Sequence, residues 1–170
     1  MEQENLRKQR CCFTGHRPGK MKWGEEEIKP LLAKAIEDAI KDGYVTFITG
    51  MAMGTDIWAG EIILQMKKSY SNIHLICALP HPGFESRRSD EEKKRFNDIV
   101  KNADLVKVIN DRYFNGCYQV RNEWMVSKSN LVIAVFDGQK SGTANTIAYA
   151  KRIGVCVNNV AEHLLNDNNN

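Results

Sequence analysis

The sequence lacks the features of membrane and secreted proteins. No apolar run is long enough to cross a bilayer. Residues 1–10 are polar and charged, without the apolar segment of a secretion signal. We therefore expect a cytoplasmic protein that makes no contact with membranes.

The cysteine and histidine patterns of disulfide frameworks and metal sites are missing as well. The 5 cysteines are odd in number and contain no C-x-x-C pair, and the 4 histidines show no ligand-like spacing with them. Reduced thiols and no structural metal are expected. Cys11 and Cys12 are adjacent in an apolar run, so their side chains should point to opposite faces of one strand.

A strong net charge is also absent. The chain has 170 residues, of which 42% are hydrophobic and 26% charged, and its formal charge is +3. These values are typical of a single globular domain with a real core. The mild positive charge does not by itself indicate a nucleic-acid partner.

The sequence does contain a regular alternation of apolar runs and helical periodicities. Strands are predicted at 10–13, 44–48, 73–79, 105–109, 131–136 and 155–157. Helices are predicted between them, from 25 to a stop at Gly43 and over 57–66, 90–101, 118–128 and 143–152. Because the strands are continuously apolar, the pattern predicts an α/β fold, a three-layer Rossmann-like sandwich with a mostly parallel sheet.

The predicted domain covers residues 10–165. A flexible N-terminus is expected at 1–9 and a disordered tail at 166–170, because both ends are polar.

The stretch from Phe47 to Asp56 reads as the end of a buried strand, a glycine turn and the start of a helix. Gly50 and Gly54 allow a positive φ and a close approach of the backbone, and Thr55 and Asp56 can cap the helix. Such a turn is suited to hold the phosphate or ribose of a nucleotide-like ligand. A strand-to-helix turn without a ligand is the alternative.

Three glycine-containing loops follow predicted strands, at 14–17, 49–56 and 141–143. In a parallel sheet they should meet at the carboxyl edge, where such folds bind ligands. Their convergence favours a binding site over an unliganded turn.

Three motifs stand out along the chain. They are residues 12–18, residues 50–56 with Trp58 and Glu61, and Arg121-Asn122 before Met125-Val126. These motifs resemble those of the YpsA-like family, a branch of the SLOG superfamily of Rossmann-like domains. Ser141-Gly142-Thr143, with Thr146 and Ala150, resembles the closing glycine motif of the superfamily. The resemblance runs from about residue 10 to residue 160.

The resemblance implies that the chain binds nucleotides or nucleotide derivatives, ADP-ribose-type molecules among them. It also suggests a homodimer. No cofactor is expected to be required. The candidate ligand-binding residues, from the residues and the resemblance together, are Thr14, Gly15, His16, Arg17, Gly50, Met51, Ala52, Gly54, Thr55, Asp56, Glu61, Arg121, Asp137, Ser141, Gly142 and Thr143.

Several of these candidate residues have more than one possible role. Arg17 and Arg121 are candidates to clamp phosphate, with surface or ion-pair roles as alternatives. Asp137 would accept ribose hydroxyls or form a turn. Glu61 and Asp56 are the candidate catalytic carboxylates, or a buried hydrogen-bond partner and a helix cap.

The histidines, one tyrosine and a basic run are interpreted as follows. His16 is an acid–base candidate or a positioning residue, and His81, between two prolines, is interpreted as structural. Tyr113 is the preferred aromatic for stacking. The basic run Arg87, Arg88, Lys93, Lys94 and Arg95 is interpreted as a solvated helix face.

The preferred function is a ligand sensor or binding module for a nucleotide derivative. A hydrolase or transferase acting on an N-glycosidic bond is the first alternative, as in the related LOG-type phosphoribohydrolases. However, the position of their catalytic glutamate is occupied by Thr146. The second alternative is binding of single-stranded DNA, as in the DNA-processing protein A family, for which Arg112, Tyr113 and Phe114 offer a small basic and aromatic surface.

Overall fold

The computed structural model of the protein describes residues 1–167. Six parallel strands form one sheet in the order β4-β3-β2-β1-β5-β6. The strands are β1 (Arg10–Gly15), β2 (Thr46–Thr49), β3 (His74–Leu79), β4 (Leu105–Val108), β5 (Leu131–Val135) and β6 (Cys156–Asn159). The predicted parallel α/β fold is confirmed.

Seven helices accompany these strands within residues 1–167. They are α1 (Glu2–Lys8), α2 (Glu25–Lys41), α3 (Thr55–Met66), α4 (Asp90–Asn102), α5 (Cys117–Ser127), α6 (Gly142–Arg152) and α7 (Glu162–Asp167). A 3₁₀ turn covers Pro18–Lys20. The capping box at Ser89 and Glu92 explains the start of α4, because each side chain satisfies a backbone amide of the first turn.

Two hydrophobic cores lie on opposite faces of the sheet. The larger core packs α2, α3 and α4 against one face, and the smaller packs α5 and α6 against the other. Cys11 belongs to the first core and Cys12 to the second, which confirms their predicted opposite orientation. All five cysteines are free.

The edges of the fold differ from the sequence prediction. The segment 2–8, predicted to be flexible, forms helix α1, whose residues are exposed or half-buried. The predicted tail at 166–170 begins with the last two residues of α7, and its remainder lies outside the described residues. All four residues of β4 are exposed, because this strand lies at the edge of the sheet.

No helix within residues 1–167 has the length and the hydrophobicity needed to cross a bilayer.

Candidate functional site

The direction of strand order reverses at β1, which lies between β2 and β5. In open parallel sheets, ligands bind near such a switch point, at the carboxyl ends of the strands. The loops that follow β1, β2, β3 and β5 all emerge at this edge because every strand runs the same way. The geometry of these loops therefore defines the candidate site.

A buried His–Asp pair joins the loops after β1 and β5. His16 Nε2 lies 2.8 Å from Asp137 Oδ1, and the two residues are 5% and 8% exposed. The same Asp137 oxygen accepts the backbone N–H of Gln139 at 3.0 Å. Asp137 Oδ2 is buried and has no hydrogen-bond partner within residues 1–167. The sequence correctly placed these two loops together.

The loop after β1 also packs tightly on the glycine turn after β2. A Cβ on Gly15 would lie 2.0 Å from Thr55 Oγ1, so only glycine permits this approach. Gly54 has a φ of 88°, and a Cβ there would meet Pro18 and the His16 carbonyl at 3.0 and 3.3 Å. The start of α3, predicted to be an open anion site, is thus covered by the chain itself.

The predicted side-chain cap of α3 does not form. The helix begins at Thr55, so the capping position falls on Gly54, which has no side chain to donate or accept. Thr55 Oγ1 is buried without a hydrogen-bond partner in the described part of the chain. Asp56 accepts the backbone N–H of Ala52 at 3.2 Å instead, and this bond fixes the turn rather than the helix.

Arg121 and Asp56 are opposite charges buried beneath this turn. Arg121 is 4% exposed, and its guanidinium donates to the carbonyls of Gly50 and Ala78. Burial raises the pKa of Asp56 to about 6, although the positive charge of Arg121 opposes the shift. Burial also lowers the pKa of Arg121. The Arg121 guanidinium therefore binds carbonyls at the carboxyl ends of β2 and β3, and little of it is accessible to a ligand phosphate.

A cleft of about 1000 Å³ opens beside the glycine turn, over the carboxyl ends of β2, β3 and β4. Its walls are the loop after β1, the turn after β2, the loops after β3 and β4, and the first turns of α4 and α5. The lining residues are Arg17, Ala52, Met53, His81, Pro82, Gly83, Phe84, Ser86, Arg87, Arg88, Glu92, Asp111, Arg112, Tyr113 and Tyr118. We refer to this set as the cleft.

Four aromatic side chains cluster in the cleft. The His81 ring centroid lies 5.5 Å from that of Tyr113, 5.9 Å from Phe84 and 6.1 Å from Tyr118. Tyr113 is 61% exposed. The rings therefore contact one another, and the exposed ring of Tyr113 offers a surface on which another aromatic ring can stack.

The charge of the cleft is positive, since four arginines line it against two carboxylates, Glu92 and Asp111. Arg88 is held most firmly. Its Nη2 donates to the Met51 carbonyl at 2.6 Å, and its guanidinium carbon lies 4.8 Å from the centroid of Phe84 and 5.0 Å from that of Phe96. Met51, with a φ of 60°, is thereby pinned in a left-handed conformation. The arrangement can hold phosphate beside a stacked ring.

The candidate residues from the sequence divide between the cleft and its surroundings. Arg17 and Ala52 line the cleft. Thr14 and Thr143 are buried, and Ser141 caps α6 by accepting the Ala144 N–H at 3.1 Å. A Cβ on Gly142 would meet no atom within 4 Å. The 141–143 loop is not among the cleft residues.

Glu61 is used elsewhere in the fold. Both of its oxygens accept from Arg95, at 2.7 Å each, and Lys29 lies 2.9 Å from Oε2. This network joins α2, α3 and α4, and Glu61 does not line the cleft. The candidate role of Glu61 as a catalytic carboxylate is not favoured by this position.

The interpretation of the basic run as a solvated helix face is wrong for Arg88 and Arg95. Arg88 precedes α4 and folds back over Met51, whereas Arg95 pairs with Glu25 and Glu61. Phe84, Arg87, Arg88, His81 and Tyr118 were missed as cleft residues. The available signal was that 80–88 follows a strand, so its side chains emerge at the ligand edge.

Within residues 1–167, no group of three His, Cys, Asp or Glu side chains is arranged to hold a metal ion.

Comparison with known sequences gives a consistent family assignment. The sequence model described as the YspA SLOG family matches residues 11–154. A UPF0398 protein of Halalkalibacterium halodurans is 30% identical over 118 residues, which is 68% of this chain and 62% of that relative. The uncharacterized SPbeta prophage-derived protein YoqJ of Bacillus subtilis is 34% identical over 139 residues, covering 74% of this chain and 81% of YoqJ.

Comparison with solved structures agrees on the fold. DNA processing protein A from Helicobacter pylori, whose structure was described with its single-stranded DNA binding mode, has a TM-score of 0.66 at 18% identity. The match covers 99% of this chain and 76% of that one. The Streptococcus pneumoniae protein has a TM-score of 0.64 at 16% identity, with 95% and 57% coverage. At these identities the likeness shows the fold alone.

Proposed function

The chain belongs to the YspA SLOG family, and from this premise we propose that it is a binding module or sensor for a nucleotide or nucleotide derivative held in the cleft. The observation that carries the proposal is the presence of four arginines and four aromatic rings in one cavity at the carboxyl edge of the sheet. Guanidinium groups bind phosphate bidentately, and aromatic faces stack on bases.

The size of the cleft supports a ligand of this class. Its volume of about 1000 Å³ is at the upper end of the roughly 300–1000 Å³ found for small-molecule sites. A mononucleotide would fill only part of it. The loop after β3 supplies Phe84 and Arg88, and the loop after β4 supplies Arg112 and Tyr113. A ligand that spans the cleft would therefore contact both loops and hold them together.

Binding has more support than turnover. Thr146, which stands in place of the LOG-type glutamate, is 2% exposed, and its hydroxyl donates to the Gly142 carbonyl at 2.8 Å. It is therefore engaged in its own helix and supplies no carboxylate. Of the two acids at the cleft, Glu92 and Asp111, Glu92 is engaged in capping α4, because it accepts the Ser89 N–H at 2.9 Å.

The test is calorimetry of AMP, ATP and ADP-ribose against the wild type and single variants. Arg112→Ala should weaken binding about tenfold or more, because a hydrogen bond to a charged group contributes about 1.5–3 kcal/mol. Tyr113→Ala should weaken it about fivefold or more through lost stacking. Both side chains are exposed, so neither change should disturb the fold.

The matched control is Arg152→Ala. Like Arg112, Arg152 is an exposed arginine, but it lies on α6 and outside the cleft. The Arg152→Ala variant should bind the three ligands with the same affinity as the wild type. Absence of binding by all three ligands, or equal loss in the control, would refute the proposal.

A second candidate function is the binding of single-stranded DNA, favoured by the same combination of cations and rings and by the fold shared with DNA processing protein A. Each phosphate contact contributes about −0.7 to the slope of log K against log salt for single strands, so the four arginines of the cleft would give roughly −3. A fluorescent oligonucleotide titrated at several salt concentrations measures this slope. Tight nucleotide binding with no oligonucleotide binding would support the first function and refute the second.

A further inference from the structure

A second cavity of about 230 Å³ adjoins the cleft. The two cavities share Met53, Arg88 and Glu92 in their walls. We call the smaller one the side pocket. Its volume is below the roughly 300 Å³ at which sites for complete small molecules begin, so it is suited to one end of a ligand that also occupies the cleft.

The side pocket differs chemically from the cleft. Its walls include Trp23, Ile57 and Trp58, which are 6%, 5% and 4% exposed. Its charged residues are balanced, with Glu25 and Glu92 opposite Arg88 and Arg95. Arg95 Nη2 lies 2.6 Å from Glu25 Oε1, so this cation is already paired. A neutral ring therefore suits the side pocket, whereas phosphate suits the cleft.

Arg88 stands where the two cavities meet. Its position is fixed by the Met51 carbonyl and by the rings of Phe84 and Phe96. Its Nη1 is buried and has no hydrogen-bond acceptor among residues 1–167. A buried donor without an acceptor costs free energy. Independently of it, the positive charge of Arg88, which lines both cavities, would attract a phosphate at their junction.

We propose that the cleft and the side pocket together bind a two-ended ligand, in which two ring systems are joined through phosphate. One ring stacks on the aromatic cluster, the phosphates lie at the junction beside Arg88, and the second, neutral ring enters the side pocket between Trp23 and Trp58. This inference rests on the proposed function, since the cleft must first bind a nucleotide.

The test compares AMP with diadenosine diphosphate by calorimetry on the full chain. Diadenosine diphosphate should bind about tenfold tighter or more, because the second ring would bury additional apolar surface in the side pocket. Equal affinity of the two probes would overturn this inference and leave the proposed function standing. Binding of neither probe would overturn both.

The side pocket can be narrowed at Gly24, which lines it. A Cβ on Gly24 would meet only Glu27 Oε2, at 3.8 Å, so Gly24→Leu is compatible with the backbone. The variant should bring the affinity for diadenosine diphosphate down to that for AMP and leave AMP binding unchanged. The matched control is Gly19→Leu, at an exposed glycine with no atom within 4 Å of a Cβ and outside both cavities.

Tryptophan fluorescence tests the placement of the second ring without a substitution in the side pocket. The chain has 3 tryptophans, and Trp124→Phe leaves Trp23 and Trp58, both in the side pocket, as the reporters. Diadenosine diphosphate should quench their emission more than AMP does at equal saturation. Equal quenching by the two probes would contradict the placement of the second ring.

Discussion

Asp56 shows how burial changes the chemistry of one residue. The carboxyl group lies under the glycine turn, accepts the Ala52 N–H and faces the charge of Arg121 without a direct ion pair within residues 1–167. Burial raises its pKa from 3.8 to about 6. The folded state therefore holds a proton that the unfolded chain releases at lower pH.

This shift predicts a measurable dependence of stability on pH. The stabilisation from Asp56 is present at low pH and is lost as the pH rises through about 6, because the folded pKa is the higher one. Relative to Asp56→Asn, the free energy of unfolding of the wild type should fall by about 1 kcal/mol between about pH 5 and about pH 7.5. Urea denaturation at each pH measures both. A difference that is flat, or that grows with pH, would contradict the raised pKa.

At the scale of single residues, the sequence predicted where the glycine turn lies, but not which groups the nearby side chains contact. Asp56 was named either a cap or an acid, whereas it fixes the backbone of Ala52. Arg121 was interpreted as a phosphate clamp or as a surface or ion-pair arginine, whereas it donates to two backbone carbonyls. The Arg121 contacts join residues 71 and 43 positions apart in the chain, and residue type and local spacing do not encode such contacts.

At the scale of secondary-structure elements, the end of β1 packs closely against the start of α3. Gly15 ends β1 and Thr55 begins α3, and a Cβ on Gly15 would lie 2.0 Å from Thr55 Oγ1 and 2.6 Å from its Cβ. Thr55 is 1% exposed, so neither element can move aside into solvent. The close approach sets how the loop after β1 covers the start of α3.

A double-mutant cycle tests this fit. Gly15→Ala should lower the free energy of unfolding by about 1–3 kcal/mol, as overpacking does. Adding Thr55→Gly should recover much of that loss, because it removes the atoms that collide. A coupling energy of about 1 kcal/mol or more is expected from urea denaturation of the four proteins. Gly142→Ala, where a Cβ meets no atom within 4 Å, should change stability little and show no coupling to Thr55→Gly.

Element identity was the most predictable level of the structure. Continuous apolar runs predicted the parallel strands to within a few residues, because both faces of such strands are covered. Helices α1 and α7 were missed since they are short and carry no apolar face of helical period. In β4, the position at the edge of the sheet leaves all four residues exposed.

At the scale of the whole molecule, the sequence predicted a candidate site at the carboxyl edge of the sheet, but not the position of the cleft along that edge. The three glycine loops suggested a rim centred on β1, β2 and β5. In the structure, close packing fills this rim at Gly15, Gly50 and Gly54, after β1 and β2, and the cleft lies over β2, β3 and β4. The wall formed by Arg88 requires the loop after β3 to fold back across the Met51 turn, 37 positions earlier in the chain, and no local pattern predicts such a contact.

The location of the cavity predicts where ligand binding will change backbone motion. A nucleotide in the cleft should slow amide hydrogen exchange in 81–88 and 111–118, because these segments carry its walls. Exchange in 138–145 should stay unchanged, since that loop is not part of the cleft. Such segments open locally at low free-energy cost, so bound ligand has a clear effect on them. Exchange mass spectrometry with saturating AMP, with Arg112→Ala as the weakly binding control, makes the measurement. Protection confined to 138–145 would instead place the ligand on the glycine rim, at the His16–Asp137 pair, and would refute the cleft.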